Sequence, residues 1–532
     1  MTDEAAPLSH DLGQLFMVGF HGLTPPAGAI HLIQRERVGG IILFERNCQS
    51  AQQVSRLIHD LQSAARAAGH PAPLLIATDQ EYGKISTLGP ALTTFPGQMA
   101  LGATGSASLT SSVAEAAGRE LLALGVTMNL APSADVYTNP ANRVIAGRAF
   151  DDHPARVAAL TAAAVSGYRA AGIAATLKHF PGHGDTATDS HLALPTLPHD
   201  RERLEGVELV PFRAGVAAGA DALMLAHLAL PAVAPDEGLP ASLSPTIVRL
   251  AREELGFAGV IITDCLEMGA IADGVGAARG AVLALRAGAD IVLVSHTLRL
   301  QRAAIASVRA AIASGELPAE TVSRALERIR HLKERLPGWE RLPAPVSRAS
   351  VSLPAHRRLA ATAYRRAITL ARDAVGLLPV RLPDTARILV IAQPPASAQA
   401  SEQGYQHAAL VASVQRYHAN SEGAVVGRGA GRVGRAEALT MARTADLLLV
   451  ATFDARRDPR QVALLRALAA TGKPIIALAL SAPYDVAAFP QLPTWLAAYE
   501  HTPAALDAAA DALFGRFTPH GRLPVTLLTD GA

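Results

Sequence analysis

Short apolar runs alternate with amphipathic helical stretches along residues 1–340 of this 532-residue chain. The runs are residues 38–44, 74–78, 126–130, 173–177, 222–226, 260–263 and 291–294. The main helical stretches between them are residues 50–68, 111–124, 155–171, 244–255 and 275–287. Strand–helix alternation predicts a parallel sheet covered by helices, because a helix supplies the crossover between parallel strands. Seven or eight units in roughly 300 residues favour a (β/α)8 TIM-like barrel, or a variant that lacks one strand.

Polar and ionisable residues follow the predicted strands, one group after another. They are Asp79-Gln80-Glu81, Asn129 followed by Asp135, Lys178 with His179, His227, Asp264 and His296. In a barrel the carboxyl ends of the strands form one face, and barrel active sites are built on that face. The alternative is that the loops after strands are simply polar. Six successive sites favour an active site at this face.

A second part of the chain follows a boundary rich in proline and serine. We expect a catalytic barrel over residues 1–340, a linker over 341–355 and a second domain over 356–532. The second part alternates again, with apolar runs at 387–391, 446–451, 474–480 and 494–499. It predicts a smaller three-layer α/β/α sandwich, in which the glycine-rich segment 427–434 is a loop.

The charge balance excludes several classes of partner. Lys and Arg number 48 and Asp and Glu number 46, which leaves no basic surface expected for nucleic acid or an anionic membrane. The two cysteines, Cys48 and Cys265, suit a reducing compartment. The N-terminal segment does not resemble a secretory signal, and apolar runs fall short of the roughly 18 residues of a spanning helix. We therefore expect a cytoplasmic protein with no membrane or nucleic-acid partner and no cofactor. Its oligomeric state stays open.

The stretch 174–191 carries an unusual density of titratable side chains. One interpretation is a metal site built from His179, His183 and His191 with Asp185 or Asp189, but the uneven spacing argues against it and we predict no metal. A second interpretation is that these are loop groups bonded to the backbone. The third is acid/base catalysis, since Asp189 and His191 are separated by one residue. A carboxylate bonded to one imidazole nitrogen fixes the tautomer of the ring and raises the basicity of the other nitrogen.

Asp264 is the predicted partner of this pair. It ends the apolar run 259–264, and a strand would hold it rigidly as a nucleophile or an electrostatic stabiliser. The alternative is that Asp264 caps the N-terminus of a helix over 266–272. The two roles are compatible.

At this point the motifs resemble a known family. Lys178-His-Phe-Pro-Gly-His-Gly-Asp185, followed by Asp189-Ser-His191, looks like the signature of the β-N-acetylglucosaminidases of glycoside hydrolase family 3. The segments 39–47, 79–81, 95–103, 129–135 and 262–268 are similar to further motifs of its barrel. The segments 473–474, 482–485 and 521–526 resemble its C-terminal sandwich domain.

The resemblance implies a role for each matching residue. Asp264 would be the nucleophile of a glycosyl-enzyme intermediate, His191 the general acid and then base, and Asp189 its dyad partner. The implied ligands of the terminal sugar are Asp79, Arg148, Lys178 and His179, with Met224 and His227 lining the same pocket. The implied activity is that of a retaining exo-β-N-acetylhexosaminidase acting on a glycoside or cell-wall fragment, with a role in recycling cell-wall sugars.

The chain departs from the family in one sugar-binding loop. Lys84 and Thr87 stand where the family has arginines, so the planar guanidinium fork is lost at both positions. Arg143 stands where the family usually has proline. The alternatives are a phosphorylase, because a histidine acid/base repels phosphate less than a carboxylate does, or a β-glucosidase of the same family. A sugar-binding relic without activity is a further alternative, suggested by the altered 82–87 loop.

Overall fold

The computed structural model describes residues 11–190, 192–235, 238–345, 351–394 and 405–527. Eight parallel strands close into a barrel in the order β1-β8-β7-β6-β5-β4-β3-β2. The strands are β1 (Phe16–Val18), β2 (Gly40–Leu43), β3 (Leu75–Thr78), β4 (Met128–Asn129), β5 (Ala174–Phe180), β6 (Ala222–Leu225), β7 (Val260–Cys265) and β8 (Ile291–Val294). The predicted barrel is confirmed, and each strand pairs with its neighbours in the sequence.

The barrel strands are apolar because helices cover their outer faces and their own side chains fill the interior. All residues of β3 and β8 are buried, for example. This double burial produces continuous apolar runs rather than alternating ones. The sequence prediction missed only β1, which has three residues and follows a 3-10 helix over Leu12–Leu15.

Helices separate the barrel strands. They are Ala27–Gln34, Ala51–Ala67, Gln98–Thr104, Ala107–Leu124, Pro154–Ala171, Arg201–Arg203, Leu209–Ala217, Pro245–Arg249, Gly269–Ala272, Ala277–Ala287, Leu298–Ala313 and Ala319–Arg335. The segments Leu204–Glu208 and Leu250–Glu254 are π-helical and continue two of them. The helix Ala107–Leu124 shows why the bounds fall where they do. Ser106 accepts a hydrogen bond from the Leu109 N–H at its start, and Gly125 ends it with a φ of +97°.

The second domain is a six-stranded sheet between helices. The strands are β9 (Thr369–Asp373), β10 (Ile388–Ala392), β11 (Ser421–Val425), β12 (Leu447–Thr452), β13 (Ile475–Ala479) and β14 (Thr494–Ala497), in the order β9-β14-β13-β12-β10-β11. Only β9 runs antiparallel to its neighbour among these described strands. The helices are Pro354–Ala367, His407–Gln415, Arg435–Thr444, Pro459–Ala469, Asp485–Ala488 and Pro503–Leu513. Separate apolar clusters pack against the sheet, and the predicted sandwich is confirmed.

The helix Pro354–Ala367 joins the two domains. It begins inside the predicted linker, of which residues 346–350 lie outside the described part of the chain. Its Tyr364 hydroxyl lies 3.0 Å from the Phe95 carbonyl oxygen and 2.6 Å from Glu500 Oε1. Glu500 Oε2 also accepts a hydrogen bond from the Gly97 N–H at 2.8 Å. The second domain is therefore bonded to a loop of the barrel.

None of the helices in the described ranges combines the length and the apolar character that crossing a membrane requires.

Candidate active site

Lys178 is the buried centre of a group of charges at the carboxyl ends of the barrel strands. It lies on β5 and is 1% exposed. Its Nζ lies 2.5 Å from Asp79 Oδ1 and 2.6 Å from Glu81 Oε1, just beyond β3. Burying an ammonium group is costly unless its donors are satisfied, and here two carboxylates satisfy it.

Arg148 extends this group towards β5. Its Nε and Nη2 donate to the two oxygens of Glu81, both at 2.8 Å. Arg148 Nη2 also lies 3.0 Å from Nε2 of His179, whose Nδ1 lies 2.7 Å from Asp135 Oδ2. Because a guanidinium only donates, His179 Nε2 accepts, and Nδ1 carries the proton given to Asp135. We call the whole set the charged network: Asp79, Lys178, Glu81, Arg148, His179 and Asp135.

The charges of the network set its pKa values. Burial alone would raise the pKa of Glu81, but Arg148 and Lys178 outweigh it and hold that pKa well below the ordinary range. Burial likewise opposes the ionisation of Lys178, yet Asp79 and Glu81 raise its pKa. Burial alone would also raise the pKa of Asp135. His179, together with the hydrogen bonds that Asp135 accepts from His179 and His183, lowers that pKa instead. Glu81 and Asp135 are therefore negatively charged at neutral pH, and Lys178 and Arg148 are positively charged.

Asp79 is the part of the network most open to solvent. Its side chain is 24% exposed, against 10% for Arg148 and 1% for Glu81. A carboxylate that is held by a lysine and still accessible can accept hydrogen bonds from sugar hydroxyls. The geometry thus separates an accessible hydrogen-bond acceptor, Asp79, from buried groups that hold it in place.

Sequence reasoning noted Glu81 and Asp135 after predicted strands but gave them no role, and it considered His183 only as a metal ligand or a loop group. A signal for Glu81 existed, since it follows Asp79 by two positions and extended backbone places such residues on one side. Asp135 is noted only as a polar residue after a strand, although it accepts the backbone N–H of His183 at 2.6 Å. These contacts join segments far apart in the chain, so spacing alone does not reveal them.

Asp264 lies near the end of β7 and is half-buried. Its Oδ1 accepts the Cys265 N–H at 2.7 Å. The expected helix over 266–272 starts later, at Gly269, and its N-cap residue is Met268. The helix-capping interpretation of Asp264 is therefore wrong, because the chain turns for several residues before the helix begins.

His227 and Met224 lie beside Asp264 on the neighbouring strand end. Met224 belongs to β6 and is 3% exposed, and His227 is fully buried. His227 Nδ1 lies 2.7 Å from Ser242 Oγ, and its Nε2 lies 2.9 Å from the Cys265 carbonyl oxygen. These contacts make His227 a support for the backbone next to Asp264. Contact of either side chain with substrate stays a prediction.

The segment 181–199, which we call the 181–199 loop, follows β5 and contains Asp189. A Cβ atom on Gly184 would lie 1.7 Å from the Val136 carbonyl oxygen, so only glycine fits there. Asn142 Nδ2 donates to the His183 carbonyl oxygen at 2.7 Å. Further on, the Ala270 N–H donates to the Ser190 carbonyl oxygen at 3.3 Å. The loop is thus bonded to the segment just after Asp264. His191, the predicted acid/base, lies outside the described residues.

His179 and His183, the two described histidines of the considered metal set, have both ring nitrogens engaged by protein groups. His179 is engaged by Arg148 and Asp135, as described above. His183 Nδ1 lies 2.7 Å from Thr186 Oγ1 and its Nε2 lies 3.2 Å from Ser190 Oγ. Burial lowers the pKa of His183 to about 4.

A different set of potential ligands, Asp185, His199 and Glu208, has atoms within 4.8 Å of one another. Arg203 already supplies positive charge to this set. Its Nη2 lies 3.1 Å from Glu208 Oε1 and 3.5 Å from Asp185 Oδ2. His199 Nε2 is also hydrogen-bonded to Asp185 Oδ2 at 2.7 Å. Asp185, His199 and Glu208 therefore form an ion-pair cluster with Arg203 at the base of the loop.

The altered loop after β3 has its own contacts. Thr87 Oγ1 donates to the Asp79 carbonyl oxygen at 2.6 Å, and Lys84 Nζ donates to the Arg143 carbonyl oxygen at 3.2 Å. Tyr82 has a φ of +63° and packs edge-on against Phe95. Thr87 therefore supports the backbone of Asp79, whereas Lys84 supports the backbone of Arg143, whose own side chain is exposed.

Comparison with known proteins identifies the relatives of this chain. Beta-hexosaminidase A of Pseudoalteromonas piscicida is 37% identical over 394 residues, which cover 70% of this chain and 65% of that relative. The beta-hexosaminidase of Stenotrophomonas maltophilia (strain R551-3) is 39% identical over 53% of this chain and 83% of its own length. A glycoside hydrolase family 3 beta-N-acetylglucosaminidase from Paenibacillus sp. str. FPU-7 superposes with a TM-score of 0.91 and 39% identity. That match covers 98% of this chain and 99% of the other.

Both domains also match family descriptions. Residues 7–332 match the Glycosyl hydrolase family 3 N terminal domain, and residues 368–531 match the Glycosyl hydrolase family 3 C-terminal domain. Because these two family models together match most of its length, this chain belongs to glycosyl hydrolase family 3.

Proposed function

We propose that this chain is a retaining exo-β-N-acetylhexosaminidase that releases terminal β-linked N-acetylglucosamine. The observation that carries the proposal is the charged network at the strand ends, two strands away from the strand that bears Asp264. The names of the relatives support the same sugar. In this proposal Asp79, Arg148, Lys178 and His179 hold the terminal sugar, and Met224 and His227 shape the pocket beside it.

The first half of the reaction joins the sugar to the enzyme. Asp264 attacks the anomeric carbon from one side while the glycosidic bond to the leaving group breaks on the other. His191, oriented by Asp189, gives its proton to the leaving oxygen. The products of this step are the free leaving-group alcohol and a glycosyl ester of Asp264, with His191 now unprotonated.

The second half releases the sugar. His191 takes a proton from water, and the resulting hydroxide displaces the Asp264 carboxylate at the anomeric carbon. Two displacements restore the β configuration, so the enzyme retains stereochemistry. A histidine with a carboxylate partner suits both proton transfers because its ordinary pKa lies near neutrality.

The hydrogen bonds around Lys178 support its role as an anchor rather than an acid. Both carboxylates near its Nζ favour the charged form, so it does not give up a proton at working pH. It fixes Asp79, which then accepts hydrogen bonds from hydroxyl groups of the sugar. Thr87 holds the backbone of the same residue.

A chromogenic assay of the purified full chain tests the proposal. We expect release of nitrophenol from 4-nitrophenyl β-N-acetylglucosaminide, little changed by added phosphate and much faster than from the β-glucoside. The Asp264→Asn variant should lose activity by more than about 10³-fold, because the nucleophile is gone.

The other functions give different outcomes in the same assay. Strong acceleration by phosphate with formation of a sugar 1-phosphate would establish the phosphorylase. Preference for the glucoside would establish the β-glucosidase, and no release from any β-hexosaminide would leave a sugar-binding relic. A role in cell-wall recycling, a cytoplasmic location and the domain limits 1–340, 341–355 and 356–532 accompany the proposal as predictions.

A further inference from the structure

A cavity beside the amino-terminal ends of the barrel strands is lined by arginines from three helical segments. It has a volume of about 340 Å³ and lies among the helices Pro245–Arg249, Ala277–Ala287 and Ala319–Arg335. Asp290, which also lines it, immediately precedes β8, so the cavity lies at the end of the barrel opposite the charged network. The arginines are Arg249, Arg252, Arg286, Arg324 and Arg328.

Two of these arginines are fixed by a buried carboxylate. Arg252 Nη2 lies 2.5 Å from Asp290 Oδ2, and Arg328 Nη1 lies 2.9 Å from Asp290 Oδ1. Asp290 is fully buried and also accepts the Ile261 N–H at 2.8 Å. A single carboxylate thus balances two guanidinium groups, and it leaves one positive charge at the wall of the cavity.

In the described part of the chain, the acidic neighbours of Arg286 and Arg324 lie at long ion-pair distances. Arg324 Nη1 lies 3.7 Å from Glu320 Oε1, and both side chains are more than half exposed. Arg286 Nη1 lies 3.7 Å from Glu316 Oε1, which also pairs with another arginine. Exposed pairs at such distances contribute little to stability, so both guanidinium groups can turn to a ligand.

The spacing of the arginines along their helices concentrates the charge. Arg324 and Arg328 are four residues apart on one helix, and Arg249 and Arg252 are three apart, so each pair shares one helix face. Like charges at this spacing repel each other unless a counter-charge lies between them. Glu253, the other carboxylate in the cavity wall, is exposed. The wall therefore carries five cationic and two anionic groups.

We propose that this cavity binds a small phosphate-bearing anion of the diphosphate or phosphate-monoester class. The planar guanidinium fork matches phosphate oxygens and bonds them in pairs, so arginine suits this ligand better than a point charge does. The volume fits a small metabolite. A ligand with two or more negative charges would balance the excess charge of the wall, which a halide ion balances only in part.

Titration calorimetry of the full chain with inorganic pyrophosphate tests the proposal at constant ionic strength. The test variant is the double substitution Arg249→Gln and Arg324→Gln, which leaves the Asp290 pairs intact. The matched control is Arg299→Gln with Arg302→Gln, since both residues are exposed on the helix Leu298–Ala313. Thermal melts followed by circular dichroism verify that each variant is folded. The substitution of Arg249 and Arg324 by lysine provides a second, gentler test.

We expect the unchanged chain to bind one pyrophosphate and the control to bind it equally well. The glutamine double variant should raise the dissociation constant by at least about tenfold, because charge-assisted hydrogen bonds are lost. The lysine variant should fall in between, since it keeps the charge but loses the fork. The proposal is overturned by the absence of binding, by an unchanged constant in both test variants, or by equal weakening in the control.

Discussion

At the scale of single residues, the site is a chain of mutually dependent charges. Glu81 is buried and holds both Arg148 and Lys178, and Asp135 holds His179 and the backbone of His183. Removing one member would leave a buried charge without its partner, which typically costs about 3–5 kcal/mol. A substitution of any one of these residues is therefore expected to destabilise the protein unless its partner is changed as well.

The buried His183 leads to a prediction about how the free energy of unfolding depends on pH. Its pKa is lowered to about 4 by burial, so it is neutral in the folded protein while the unfolded chain takes up a proton below about pH 6.5. Stability from this residue is present above pH 6.5 and is lost as the pH falls towards 4. Between pH 7 and pH 5 the wild type should lose about 2 kcal/mol more unfolding free energy than His183→Asn.

Denaturant titrations of both proteins at the two pH values measure this difference. The pH range stays above the ordinary pKa of carboxylates, which keeps the lowered pKa values of Glu81 and Asp135 out of the comparison. Equal losses in the two proteins would show that His183 is not a buried neutral imidazole.

At the scale of elements, the base of the 181–199 loop is closed by a contact between its two ends. Asp185 Oδ2 and His199 Nε2 lie 2.7 Å apart, and Asp189 lies between them in the sequence. Arg203 and Glu208 extend this contact into the following helical segment. The contact limits how far the loop can move away from the strand ends.

Breaking this contact should impair proton donation more than substrate binding. We expect Asp185→Asn and His199→Gln each to lower kcat for a substrate with a poor leaving group by about tenfold, with little change in KM. The double variant should be no worse than either single variant, because all three lose the same contact. Glu202→Gln, on the adjacent helix and exposed, is the control. Additive effects, or an unchanged kcat, would contradict this role.

Elements also show where sequence reasoning worked. The helix predicted over 155–171 is observed as Pro154–Ala171, and seven of the eight barrel strands were predicted. In the second domain the four inner strands were predicted and both edge strands, β9 and β11, were missed. Edge strands are only partly buried, so they need no continuous apolar run and the sequence shows none.

The site was predictable to the extent that it sits in motifs. Asp79, Lys178 and Asp264 lie at the carboxyl ends of barrel strands, and the alternation of strands and helices in the sequence predicts an active site there. The ion pairs of Glu81 and the contacts of Asp135 join segments dozens of residues apart, which no local spacing encodes. The prediction that Asp264 caps a helix was wrong for a local reason, because the turn between β7 and the next helix is longer than expected.

At the scale of the whole molecule, the second domain supports loops of the barrel. Arg457 Nη1 donates to the Ala141 carbonyl oxygen at 2.7 Å, and Arg456 Nη2 donates to the Pro140 carbonyl oxygen at 2.9 Å. The same barrel segment continues to Arg148, a member of the charged network. The sandwich domain thus contacts the barrel segment whose backbone positions Arg148, one of the cations of the site.

Substitution of Arg457 tests this support. Arg457→Ala should raise KM by about 3- to 10-fold, because the segment that carries Arg148 loses hydrogen bonds that hold its backbone. Arg460→Ala is the control, since Arg460 pairs with Asp458 within its own domain. Steady-state kinetics of the two variants compare the effects. An unchanged KM in Arg457→Ala would mean that the sandwich does not influence the site.

The central claim is that Asp264 forms a covalent bond to the sugar, and mass spectrometry of a trapped intermediate tests it most directly. A fluorinated N-acetylglucosaminyl fluoride with an activated leaving group should form the ester quickly and release it slowly. We expect the intact mass to rise by one sugar unit and the modified peptide to contain Asp264, with no adduct in Asp264→Asn. An adduct on another carboxylate, or turnover of this reagent by Asp264→Asn, would contradict the account.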